Sequence, residues 1–167
     1  DGGTMENYTD TADEGDDYLC SICYKKVGDA AYIIDVLYTK QPIEHTEPLT
    51  AAMLQRNEVK KTNIESNNGG KGFALSVQRI MTANNYHNIA VNWFHQSQNK
   101  QVRINVNSAN VMNFVYMPYD WKQRWPEFAV AICTYKKEGK NKHDDAPDAL
   151  TGVIEKVKNV TEFFKIS

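Results

Sequence analysis

The chain has 167 residues with 41% apolar side chains, nine Tyr, six Phe and three Trp, which suits one globular domain and excludes a disordered chain. No apolar run approaches the roughly 20 residues of a membrane-crossing helix, and no charged-then-apolar leader is visible. The three cysteines cannot build a disulfide framework, and a net charge of −2 gives no overall bias toward polyanions.

In chain order, a short strand around Glu6–Asp10 runs into the acidic turn TADEGDD. YLCSICYKKV (18–27) is a strand by its aromatic and β-branched content, and AAYIIDVLY (30–38) is the next, joined by the two-residue turn Gly28-Asp29. Cys20 and Cys23 form a CxxC pair, which elsewhere marks zinc or redox chemistry. Here strand periodicity sends positions three apart to opposite faces, and no second Cys or His pair follows at zinc spacing. PLTAAMLQRN (48–57) has helical spacing. KKTNIE (60–65) reads as a strand entering the core, broken by Asn67-Asn68-Gly69-Gly70. GFALSVQRIMTA (72–83) is a helix with Phe73, Val77 and Ile80 on one face, and IAVNWF (89–94) is a strand.

The stretch 96–111 is polar and gives no clear period. VMNFVYMP (111–118) reads as extended, and 121–135 as helical from about Pro126, a residue suited to a first turn. The spacing of Trp121 and Trp125 fits core packing better than base stacking. After the basic loop KKEGKNK (136–142), His143-Asp144-Asp145 opens a helix with acids first and lysines late. Strands followed by alternating strands and helices predict an α/β fold, a mixed sheet with helices packed on it, in a single domain over 1–167.

Charge is unevenly spread. Seven acids (Asp1, Glu6, Asp10, Asp13, Glu14, Asp16, Asp17) lie in the first 17 residues. Between His95 and His143, eight cations (Lys100, Arg103, Lys122, Arg124, Lys136, Lys137, Lys140, Lys142) face three acids. An acidic cluster that holds cations beside a basic surface that holds phosphates would give this pattern, as would a mixed surface.

Three acidic stations stand out: Asp10 at a strand end, Glu65 at another, and Asp144, Asp145 and Asp148 at the start of the last helix. Asp145 and Asp148 share a helix face. Two hard divalent cations need several carboxylates converging from different elements, and such a pair activates water and stabilises the leaving oxygen in phosphodiester cleavage. Each acid alone is more often a turn former or helix cap.

YTDTADEGDDY, NIESNNGGKGFA, NKQVRI followed by VMNFVYMP, and HDDAPDAL resemble, in order and over nearly the whole chain, the C-terminal nuclease domain of phage terminase large subunits. The resemblance implies a ribonuclease H-like mixed β-sheet flanked by helices. It implies a metal-dependent endonuclease that cuts concatemeric double-stranded DNA with little sequence preference, using two Mg²⁺ or Mn²⁺ ions. Asp10 would bridge both ions, Glu65 would hold one, and Asp145 and Asp148 would hold the other, with Asp144 behind them. His143 would touch a phosphate or a metal-bound water.

Lys71, Lys100, Arg103, Lys140 and Lys142 would contact the DNA backbone, although Lys71 also fits a solvated loop and the stems of Lys100 and Arg103 could cover apolar surface. The implied partners are DNA, an ATPase motor domain, the portal and the small terminase subunit, in the cytoplasm of an infected bacterium, with no membrane and a monomeric isolated domain. GGKGFA (69–74) lacks the GxxxxGK[ST] pattern, so no nucleotide hydrolysis is expected, and the motor domain lies outside this chain. Competing readings are a Holliday-junction resolvase or another ribonuclease H-like nuclease, a non-catalytic DNA-binding module, and a cation-binding structural domain.

Overall fold

The computed structural model describes residues 2–12, 17–65, 70–139, 141 and 143–158. Among these residues six strands form one mixed sheet: β1 (Thr4–Asp10), β2 (Leu19–Val27), β3 (Ala30–Thr39), β4 (Lys61–Glu65), β5 (Ala90–Phe94) and β6 (Val115–Tyr116), in the spatial order β5-β4-β1-β2-β3-β6. The first three make an antiparallel meander turned by Gly28 at φ +57°, where glycine escapes the Cβ penalty. β4 returns parallel to β1, and β5 parallel to β4. This is the expected mixed sheet with helices on both faces.

Two cores follow from strand alternation. On one face Tyr8, Cys20, Ile22, Tyr24 and Ile33 pack under α5 (Pro126–Thr134) and α6 (Asp145–Lys158). On the other, Leu19, Cys23 and Ile64 pack under α1 (Ile43–Arg56) and α2 (Gly70–Ala83). Cys20 and Cys23 are thus buried in opposite cores, free and apart, as the strand period requires. Trp121 and Trp125 lie half-buried against the first core, the former in the short helix α4 (Trp121–Arg124). Among the described residues no helix is long and apolar enough to cross a membrane.

Two expectations are corrected. Helix α1 starts at Ile43 rather than Pro48, so Pro48 sits inside it. More consequentially, residues 100–114 form the helix α3 (Lys100–Phe114), and only Val115–Tyr116 of the expected extended stretch is a strand, paired with Ala31–Tyr32. The Asn99 side chain caps α3 by accepting from the Val102 N–H at 3.2 Å. α3 packs on α6 through Arg103, Ile104 and Asn107, a buried face that is two-thirds polar and so carries no apolar period.

Candidate metal centre

Asp10 and Glu65 are the last residues of β1 and β4, adjacent parallel strands that pair the two directly. Their side chains therefore leave the sheet at the same strand ends and on the same face. Helix α6 crosses that face, and its first turn carries Asp145 and Asp148. Ligand oxygens of Asp10, Glu65 and Asp148 come within 4.8 Å of one another, and all three residues are buried.

Two cations from α3 reach into the cluster. Lys100 Nζ lies 3.4 Å from Asp10 Oδ2, 3.2 Å from Asp145 Oδ1 and 3.8 Å from Asp148 Oδ2. The Arg103 guanidinium is buried, with Nη1 2.9 Å from Asp148 Oδ1 and 3.8 Å from Glu65 Oε2, while Nη2 meets Glu155 Oε2 at 2.9 Å. The Arg103–Asp148 contact lacks hydrogen-bond alignment, leaving both Asp148 oxygens without a hydrogen-bond donor among the described residues. Among the described residues, five carboxylates (Asp10, Glu65, Asp145, Asp148, Glu155) surround these two cations, so negative charge is in excess.

The titration behaviour follows first from burial and then from that excess. Burial, joined by the charges of Glu65, Asp148 and Asp145, raises the Asp10 carboxyl well above the usual range against the pull of Lys100. Burial also lifts Asp148 to about 7, with Glu65 and Asp144 adding to the rise while Arg103 and Lys100 oppose it. Burial alone would lower Lys100, but Asp10, Asp145 and Asp148 outweigh it and keep the ammonium charged.

An all-oxygen donor set with surplus negative charge and two undonated Asp148 oxygens fits a hard divalent cation. It also gives a pH dependence of unusual sign. Asp148 titrates at about 7 folded against about 4 unfolded, so its contribution to stability is complete below about pH 4 and is lost as pH rises through 7. In EDTA the wild type should therefore lose melting temperature, relative to Asp148→Asn, between pH 5 and 8. Excess Mg²⁺ should reverse the loss. Parallel pH profiles of the two proteins in EDTA would refute this.

The remaining candidates occupy different places. Asp145 borders the cluster, its Oδ2 accepting from the Tyr18 N–H at 3.2 Å. Asp144 is half-buried, and its carbonyl accepts the first α6 bond, from the Asp148 N–H. His143 packs edge-on to the Tyr18 ring at 5.1 Å and, with Tyr18 and Tyr38, borders a cavity of about 420 Å³. Lys71 is exposed at the start of α2. Lys140 and Lys142 lie outside the described residues. Arg103, expected on a DNA-facing surface, is inside the protein, because three acids need its charge there. Sequence reasoning missed Tyr8, whose hydroxyl donates to Glu65 Oε2 at 2.7 Å, and Glu155, which holds Arg103. Their signals were present: Tyr8 shares a strand face with Asp10, and Glu155 lies two helical turns beyond Asp148.

A family model described as terminase, bacteriophage T7, ribonuclease H-like domain, matches residues 9–115, well over half of the chain. The chain belongs to this terminase family. The matched span includes Asp10, Glu65, Lys100 and Arg103 and stops before α6. Among solved structures, the large terminase subunit of bacteriophage Sf6 with calcium superposes with a TM-score of 0.68 at 9% identity, covering 91% of this chain and 88% of that one. The human cytomegalovirus terminase nuclease domain gives 0.60 at 12% identity, with 96% and 84% covered. The fowlpox virus Holliday junction resolvase gives 0.60 at 10% identity, with 94% and 99% covered. At these identities the superpositions establish the ribonuclease H-like fold of this terminase-family domain. No curated protein sequence matches the chain significantly.

Proposed function

We propose that this terminase-family domain is a divalent-metal-dependent endonuclease that hydrolyses phosphodiester bonds of double-stranded DNA during viral genome packaging. The observation that carries the reading is the convergence of Asp10, Glu65 and Asp148 oxygens within 4.8 Å at the strand ends. The family match supports it, as do neighbours whose own structures hold calcium or manganese.

In this reading Asp10, Glu65 and Asp148 would hold Mg²⁺ or Mn²⁺, and the in-register pairing of Asp10 with Glu65 beneath α6 supports a pair of ions. When bound, such ions activate water for attack and stabilise charge on the leaving oxygen. Asp145, tied to Lys100 and the Tyr18 N–H, sets the position of the ammonium rather than joining the primary ligands. Arg103 stays inside and balances Asp148, Glu65 and Glu155. The side chain of Lys100 is about one-third exposed at 34%, which puts positive charge at the mouth of the cluster where a scissile phosphate would approach.

Lys71, Lys140, Lys142 and His143 are assigned to the DNA backbone. Phosphate contacts carry affinity without sequence information, which agrees with cutting of concatemers at little sequence preference. The full packaging assembly on this reading includes an ATPase motor domain, portal and small terminase subunit in the host cytoplasm.

The test uses supercoiled plasmid, linear duplex and a four-way junction, each with Mn²⁺ or Mg²⁺, beside Asp10→Asn. Expected are nicking and linearisation of plasmid and cutting of linear duplex, all abolished in the variant. Equal cleavage by Asp10→Asn would overturn the site assignment. Cutting confined to the junction would favour a resolvase.

A further inference from the structure

Tyr8 is fully buried in β1, two residues before Asp10 and so on the same sheet face. The β1–β4 register sets Tyr8 opposite Asn63, which makes Glu65 its diagonal neighbour, within reach of a long side chain. The Tyr8 hydroxyl spans that diagonal and donates to Glu65 Oε2 at 2.7 Å. Arg103 Nη1 approaches the same oxygen at 3.8 Å.

The Tyr8 ring is boxed in. Phe94 lies tilted against it at 5.9 Å between centroids. Helix α6 passes so close at Gly152 that a Cβ there would overlap ring atoms Cζ, Cε1 and Cε2. A donor that cannot move fixes the orientation of the carboxylate that accepts from it.

We propose that Tyr8 is a positioning residue for the metal centre: its hydroxyl orients Glu65 toward a divalent cation, and Gly152 provides the clearance that lets the ring reach that place. This rests on the metal-centre reading given above. Hydrogen-bond partners that orient metal ligands are worth roughly 10–100-fold in metal affinity. Since Asp148 sits one turn before Gly152 on α6, the same close approach sets how near Asp148 lies to Glu65.

Tyr8→Phe keeps the ring and removes only the hydroxyl. A matched control exists in the same sheet: Tyr24, also fully buried, donates to Glu6 Oε2 at 3.2 Å away from the acid cluster. Titration calorimetry with Mn²⁺ on the 167-residue chain, with melting in EDTA alongside, separates the roles. Both variants should melt a few degrees lower, because each loses a buried hydrogen bond. Only Tyr8→Phe should weaken Mn²⁺ binding, by about tenfold or more.

Unchanged Mn²⁺ affinity in Tyr8→Phe overturns the proposal. An equal loss in Tyr24→Phe also overturns it, by showing general loosening. Failure of the wild type itself to take up Mn²⁺ overturns the underlying metal-centre reading instead, and is recognised because it appears without any substitution.

Discussion

Arg103→Met should cost about 3–5 kcal/mol of stability in metal-free protein, the range for removing one partner of a buried ion pair. The side chain is 1% exposed, against 0% for Asp148 and 2% for Glu65, so water cannot replace the lost charge. Met fills much of the stem volume, which makes the loss electrostatic rather than a cavity. With the guanidinium gone, buried Asp148 and Glu65 and half-buried Glu155 lose the cation they share. Saturating Mn²⁺ should recover part of the loss, giving the variant a larger metal-induced rise in melting temperature than the wild type. Arg103→Met combined with Asp148→Leu should be markedly less damaged than the sum of the single changes, because it removes charge and counter-charge together. Urea denaturation placing the single variant within about 1 kcal/mol of wild type would show that the cluster does not depend on this cation.

Gly152→Ala should destabilise by about 3 kcal/mol, the upper part of the overpacking range, where Gly→Ala in an ordinary helix interior gains up to about 1 kcal/mol. The sign reverses because the added methyl would overlap the Tyr8 ring. That ring cannot yield, being fully buried, backed by Phe94 and tethered through its hydroxyl to Glu65. The helix must therefore lift from the sheet and take Asp148 with it. For a domain of this size the expected drop in melting temperature is roughly 6–12 °C, with loss of Mn²⁺-dependent cleavage. Tyr8→Leu added to Gly152→Ala should restore stability by making room, without restoring cleavage. A melting temperature at or above wild type for Gly152→Ala alone would mean that α6 does not bear on Tyr8.

Much of this architecture can be read from residue order. Asp10 and Glu65 were legible because each closes a short strand candidate just before a turn signal in the sequence, and parallel neighbours then bring strand ends together. The start of α6 at Asp145 was legible from acids first and lysines late. The choice between Asp145 and Asp148 was not, since both share a helix face and only the seating of α6 on the sheet decides which one meets Glu65. That seating is set by Gly152 against Tyr8, a contact between residues that carry no marker of partnership.

Helix α3 was illegible for a different reason. Periodicity detects buried faces written in apolar residues, and here the buried face is Arg103, Ile104 and Asn107, turned toward Glu155. The β-branched residues at 102, 106 and 111 favour extended chain locally, and the ionic contacts across α3 and α6 override them. Arg103 was accordingly assigned to the outside by its charge, when the interior acids required it within.

The placement of the third acid on a helix that follows all the described strands has a consequence for biosynthesis. Domains mature from the amino end as the ribosome delivers them. The described strands, with Asp10 and Glu65 at their ends, are all translated before Asp148. Truncated or stalled products ending before residue 148 therefore lack the third carboxylate altogether. On the reading proposed here, a host filling with viral polypeptides would not be exposed to DNA cutting by unfinished ones.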